Sequence, residues 1–221
     1  MMQHIPLQDL YNKDNRYRAK LINSLSGFKS ANVIGTCDNI GNTNLAIFSS
    51  VVHLGASPAL VGFIMRPDTV PRDTLNNILL TKHYTINQVS STFWQQAHQT
   101  SARYPPNHSE FSETDLSVSF IDGHQAPFVE QSLVKYAVVL KEIIPIASNN
   151  TQFVIGEITD ILCQQSAIKA DGYLDLESLN TVCVSSLDSY HITQHLGRLS
   201  YAKPETPLTP LTIDGERGTT Q

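Results

Sequence analysis

Residues 59–68 read Ala59-Leu60-Val61-Gly62-Phe63-Ile64-Met65-Arg66-Pro67-Asp68, an almost wholly apolar run stopped by arginine, proline and aspartate. The run is too short for an ordinary helix, and its β-branched and aromatic residues favour extended backbone, so it predicts a buried strand over Ala59–Met65. Upstream, Gly55-Ala56-Ser57-Pro58 marks a turn, Leu45–His53 a second strand, the polar Cys37–Thr43 a further turn, and Ala31–Gly35 a short strand. Downstream, Arg72-Asp73-Thr74 opens a helix, with Asp73 as N-cap and Leu75, Ile78 and Leu79 on one face; Tyr84–Val89 then reads as a strand. Short strands punctuated by turns predict a β-sandwich or barrel.

The flanks add helices and a long hairpin. Leu21, Ile22, Leu25 and Phe28 fall at helical spacing within Tyr17–Phe28. Ser90-Ser91-Thr92 precedes a helix expected over Phe93–Ala102, packed on the barrel from outside. Leu133–Ile146 and Gln152–Leu162 are long β-rich runs on either side of Ser148-Asn149-Asn150-Thr151, which predicts an antiparallel hairpin with a loop longer than two residues. Past Pro204 the composition turns to Pro, Thr and Gly, an exposed or disordered arm. The expected organisation is an N-terminal helical extension over 1–30, a barrel domain over 31–204 and a C-terminal arm over 205–221.

Composition excludes several function classes. With 16% charged residues and a formal net charge of -5, the 221-residue chain has no basic face for nucleic acid and no attraction to an acidic membrane surface. No stretch approaches the roughly 20 apolar residues of a membrane-spanning helix, and the first thirty residues lack an apolar core of signal-peptide length. Cys37, Cys163 and Cys183 are too scattered for a disulfide framework or a tetrahedral zinc cluster. A cytoplasmic location is expected.

The usual nucleotide fingerprints are missing: Gly35 and Gly41 have the wrong spacing for a dinucleotide turn, and no phosphate-loop Gly-Lys-Ser/Thr occurs. What stands out is the block Asn44–Thr74, where Asn44, Ser49, Ser50, Arg66, Thr69, Arg72 and Thr74 surround an apolar strand. A phosphomonoester wants guanidinium donors, hydroxyls and the spare N–H groups of a helix start. From spacing alone a second reading stands beside it: strand hydroxyls, with the arginines paired to Asp68 and Asp73 on the surface.

The wording of the sequence adds more. Leu60 through Asp68, Arg72-Asp73-Thr74-Leu75-Asn76-Asn77-Ile78 and Tyr84-Thr85-Ile86-Asn87 resemble the flavin-reductase-like FMN-binding family, in its flavoredoxin-type branch. Val129 through Leu133, Ile155-Gly156-Glu157-Ile158, Asp171-Gly172-Tyr173, Leu187-Asp188-Ser189-Tyr190 and Arg198 through Pro204 resemble its later landmarks, from about Asn32 to Pro204. The resemblance implies a mostly β fold with peripheral helices, a Greek-key split barrel, a homodimer, and FMN near the dimer interface. By the same resemblance, Asn44, Leu45 and Ala46 pass beside the isoalloxazine, offering main-chain groups to its polar edge. Ser49, Ser50, Arg66, Arg72 and Thr74 hold the phosphate and ribityl chain. Tyr190, Arg198 and Tyr201 close the site from one subunit or the other.

The implied function is an oxidoreductase passing electrons from NAD(P)H, a transient visitor, through FMN to an acceptor, with no side-chain catalyst because the flavin supplies the chemistry. An electron carrier or FMN store without turnover is the alternative. A haem-utilisation or pyridoxamine-phosphate-oxidase-like relative is a third, which the Arg-Pro-Asp and Arg-Asp-Thr motifs oppose. Other residues read as structural. His191 and His195 would share a helical face as metal ligands, but they lack a following Glu and a third ligand. His53 and His83 are lone. Cys37 beside the flavin strand reads as a small buried residue. Trp94 with Phe93 reads as helix packing, and Tyr104–His108 as a lid loop over a substrate.

Overall fold

The computed structural model describes residues 1–67, 73–105 and 108–218. Two short helices, α1 (Leu7–Tyr11) and α2 (Asn15–Ser24), open the chain. The Asp14 carboxylate caps α2 by accepting from the N–H groups of Arg16 and Tyr17, so the helix starts earlier than its apolar spacing predicts and stops before Leu25 and Phe28. None of its residues is buried.

After β1 (Lys29–Ser30), the barrel begins with β2 (Asn32–Cys37), β3 (Thr43–Phe48), β4 (Val52–Ala56) and β5 (Ala59–Met65). The β5 span is the one read from its apolar run. The stretch Leu45–His53, expected as one strand, is two, broken at Ser49–Val51 where the sheet turns its edge. Helix α3 (Asp73–Thr81) and strand β6 (His83–Gln88) follow, then α4 (Trp94–Gln99) and α5 (Glu110–Glu113). Helix α4 is shorter than expected, and Phe93, not a serine or threonine side chain, stands at its N-cap; Ser90 and Thr92 instead bond each other through their hydroxyls at 2.7 Å.

Short β7 (Val118–Ser119) and β8 (Phe128–Val129) precede the long hairpin β9 (Val134–Ile146) and β10 (Thr151–Cys163). β11 (Val182–Ser185) and β12 (Ser189–Ile192) form a three-stranded sheet with β1, and β13 (Arg198–Leu199) pairs with β14 (Pro210–Leu211). This last hairpin spans the boundary expected at Pro204, so the arm folds back on itself.

The main sheet has the order β3-β2-β6-β9-β10-β5-β4. Its two edge strands are consecutive in the chain, so the Ser49–Val51 link draws the edges together and the sheet rolls into a Greek-key split barrel. Phe48 of β3 meets Phe63 of β5 edge-on at 5.0 Å, and Phe63 meets Tyr84 at 5.7 Å. Strand alternation sends Ile34, Val61, Phe63, Tyr84, Ile86, Val138 and Val154 into this interior. The opposite face carries Val33, Leu45 and Val89, packed against Phe93 and Ala97 of the α4 region and Phe111 of α5; α4 covers the barrel from outside, as expected. Register shifts in the β9–β10 ladder bend the long hairpin around the core. Gly156 sits at one of them, where an added Cβ would collide with the Tyr84 hydroxyl and Val138.

Candidate functional site

Thr36, Asn44, Thr74 and Asn77 converge where α3 docks on the β2–β3 hairpin. The Asn44 side-chain amide donates to Thr36 Oγ1 at 3.1 Å and to Thr74 Oγ1 at 3.0 Å, and the Asn77 amide donates to Thr36 Oγ1 at 3.2 Å. Thr36, Thr74 and Asn77 are buried. The cluster sets the first turns of α3 against the end of β3, and it appears because Thr74 and Asn77 lie three apart on one helix face.

The Ser50 hydroxyl accepts from the Ile64 N–H at 3.0 Å. That bond ties the Ser49–Val51 link to β5 two residues before Arg66, whose side chain is exposed. Ser49 and Ser50, half-buried, and Arg66 are thereby brought to one seam of the barrel. Thr69 and Arg72, also expected here, lie outside the described residues.

β3 is an edge strand, and the Leu45 N–H points away from β2 to the Glu110 carboxylate, 2.9 Å from Oε2. Antiparallel alternation therefore turns the main-chain groups of Asn44 and Ala46 toward β2 and leaves those of Leu45 on the free edge. Burial pushes the Glu110 carboxyl above the usual carboxylate range; the Leu45 N–H opposes this and the charge of Asp73 adds to it. Glu110 had no signature in the sequence, because it approaches Leu45 across 65 residues.

The last three expected residues are engaged elsewhere in the chain. Tyr190 packs against the buried cluster that includes Leu45, bonds His98 Nδ1 at 2.9 Å and meets the Trp94 ring, tilted, at 5.3 Å. Arg198 pairs with Asp171, donates to the Ile213 carbonyl at 2.6 Å and lies over the Tyr173 ring at 4.4 Å. Tyr201 projects from the β13–β14 hairpin, 87% exposed.

Two concavities lie outside the Asn44–Thr74 cluster. One, of about 390 Å³, is lined by Trp94, Asp188, Tyr190 and His191; the other, of about 510 Å³, by Cys37, Asp38, Thr81 and Gln125. Several of their polar groups are engaged within the chain. Asp188 pairs with Lys20, His191 bonds Ser185 and Ser189, Cys37 donates to the Gln125 carbonyl, and Asp38 caps its own turn. Burial, with Asp38 adding its charge, raises the Cys37 thiol, which disfavours a reactive thiolate. His191 lies on a strand, so the helical face imagined for it and His195 does not form. His83 is not lone: its Nδ1 stands 3.0 Å from His124 Nδ1.

The flavin reductase like domain family matches residues 25–177. The chain belongs to that family. A split barrel domain protein from Shewanella frigidimarina, classed among flavin reductases, is 49% identical, covers 91% of this chain and 100% of its own, and superposes with a TM-score of 0.88. Flavoredoxin of Desulfovibrio vulgaris, 20% identical over 81% of this chain and 92% of its own, shares the fold with a TM-score of 0.67. A protein of Aquifex aeolicus is 26% identical over 115 residues, 51% of this chain; the match spans 59% of that relative's length. Membership makes this a flavin-related oxidoreductase family protein, with flavin as the ligand class. The residues present fit such a ligand in part: the Thr74 hydroxyl at a helix start, the Ser49 and Ser50 hydroxyls and an exposed guanidinium suit a phosphate-bearing group.

Proposed function

We propose that the protein binds FMN at the seam between β3, β5 and the start of α3 and passes electrons from NAD(P)H through it to an acceptor. Two pairings support the reading: Asn44 of β3 with Thr74 at the start of α3, and Ser50 with the β5 backbone two residues before the exposed Arg66. Thr74 and the α3 N–H groups offer donors to a phosphate, Arg66 and Arg72 its countercharge, and Ser49 and Ser50 hydroxyls to the ribityl chain. Of the three β3 residues, Leu45 alone turns its main chain away from β2, and with its N–H held by Glu110 its carbonyl is the group left for the ring's polar side. When bound, the flavin accepts hydride and releases electrons, so the protein's task is to bind, orient and shield.

A homodimer belongs to the same proposal. The chain exposes 13,858 Å², roughly 3,700 Å² more than a compact monomer of its 24.5 kDa mass is expected to show. Counted over two copies, the surplus is about 7,400 Å², more than the roughly 2,000–5,000 Å² that obligate interfaces bury, so an extensive interface would cover part of it. Large apolar side chains exposed on the N-terminal segment (Tyr17, Leu25, Phe28) and on the β13–β14 arm (Leu199, Tyr201, Leu208) supply the surface. We assign 31–204 as the flavin-binding unit and 1–30 and 205–221 as the additions that meet a second copy. Tyr190, Arg198 and Tyr201 then border the flavin across that interface. A cytoplasmic location is part of the proposal, supported by three free cysteines; no helix among the described residues is long and apolar enough to cross a membrane.

The test is an absorbance spectrum after adding FMN and removing the excess, followed by anaerobic NADH or NADPH. Retained flavin bands that bleach quickly support the reductase; retained bands that stay oxidised favour the carrier. A protein that binds no FMN in either redox state refutes the reading.

A further inference from the structure

Glu110 is a half-buried carboxylate to which the flavin reading gives no task. It begins α5, which lies along the free edge of β3, and its Oε2 accepts from the Leu45 N–H at 2.9 Å. The next residue along the strand, Asn44, reaches Thr74 on α3. The carboxylate is thus bonded to the β3 edge one residue from Asn44, which reaches the start of α3, with the like charge of Asp73 felt nearby. Burial and Asp73 both make further negative charge costly at this point.

Flavin reduction adds negative charge to that edge. Oxidised flavin takes two electrons and one proton, delivered together as hydride when reduced nicotinamide is oxidised. The added hydrogen sits on N5, and the negative charge spreads over N1 and the C2 carbonyl. We propose that Glu110 discriminates between the redox states, its carboxylate disfavouring the anionic reduced flavin over the oxidised one so that reduction loosens the ligand for release. The inference rests on the flavin placement proposed above.

The experiment compares dissociation constants for oxidised FMN and for FMN held reduced by dithionite, under argon at pH 8, in wild type, Glu110→Gln and Glu110→Asp. Wild type is expected to hold reduced FMN more weakly than oxidised. Glu110→Gln keeps an acceptor for Leu45 and should shrink the reduced-to-oxidised ratio by about ten-fold, the scale for unit charges about 12 Å apart at an effective dielectric constant of about 20. Glu110→Asp, which keeps the charge, should retain most of the wild-type ratio. A purely structural role would weaken both redox states equally and leave the ratio unmoved. A Gln variant with the wild-type ratio overturns the proposal, and so does a wild type that binds reduced FMN as tightly as oxidised, a measurement that needs no variant to fold. Wild type that binds no flavin refutes the placement of the site instead.

Discussion

Replacing Arg66 with alanine separates binding from folding more cleanly than any other change at the proposed site. The side chain is exposed and lies two residues after Ile64, whose N–H is fixed to Ser50, so its backbone is anchored while its guanidinium has no partner among the described residues. A charge-assisted bond to phosphate contributes about 1.5–3 kcal/mol, and each 1.4 kcal/mol is about ten-fold in affinity. Arg66→Ala should therefore raise the FMN dissociation constant by roughly ten- to a hundred-fold at low salt, with a smaller effect as screening grows. Folding should barely change, because no core contact is lost: the thermal midpoint should stay within about 2 °C of wild type. Quenching of flavin fluorescence, measured in parallel with FMN and riboflavin, reads both quantities. Riboflavin lacks the phosphate and should bind the variant and wild type alike. Unchanged FMN affinity, or an equal loss for both ligands, would refute the assignment of Arg66 to the phosphate.

Four further outcomes can be measured, the first resting on the sequence and the other three on the geometry. Arg72→Ala should weaken FMN binding by about 1.5–3 kcal/mol if that guanidinium bonds the phosphate; unchanged affinity removes it from the set. Gly156→Ala should destabilise the fold by about 1–3 kcal/mol in urea titration, since the new Cβ meets the Tyr84 hydroxyl and Val138 in a close-packed core; a neutral result would show that the bulged ladder yields. Tyr84→Phe should be neutral or stabilising by up to about 1 kcal/mol, because the buried hydroxyl has no partner among the described residues, and a clear loss would mean that it is satisfied by water.

The pH dependence concerns His124, whose Nε2–H donates to the Tyr84 carbonyl at 3.2 Å, so its Nδ1 accepts from His83. Burial, then the neighbouring His83, lowers its pKa below the usual histidine value of 6.5. The folded state thus binds fewer protons than the unfolded one. Its contribution is present above pH 6.5 and is lost as pH falls from there toward the depressed value. Comparing urea midpoints of wild type and His124→Gln from pH 7.5 to 5 should show the steeper loss in wild type; parallel curves would contradict this.

The sequence by itself determined the strands whose apolar runs end at unmistakable breakers. β5 stops at Arg66-Pro67, the β9–β10 hairpin turns at a polar tetrad, and α3 begins at Asp73, each set by local backbone preference and alternation. Local signals misjudged Leu45–His53, because only barrel closure forces the break at Ser49–Val51 that brings β3 and β4 together. They also missed α5, too short to show a period. Residue types named most of the phosphate-binding candidates, yet which of them meet was decided by tertiary structure. Asn44 finds Thr74 and Thr36, and Ser50 finds Ile64, through strand pairing and helix docking that no window of sequence contains. Glu110 is the extreme case: a single exposed-looking acid in the chain, it becomes a half-buried charge on the strand edge only because α5 packs along β3. Conversely, Tyr190 and Arg198 carried the right chemistry in the sequence, but within one chain the fold spends it on His98 and Asp171. Side-chain chemistry is local and legible; the distance between two side chains belongs to the fold.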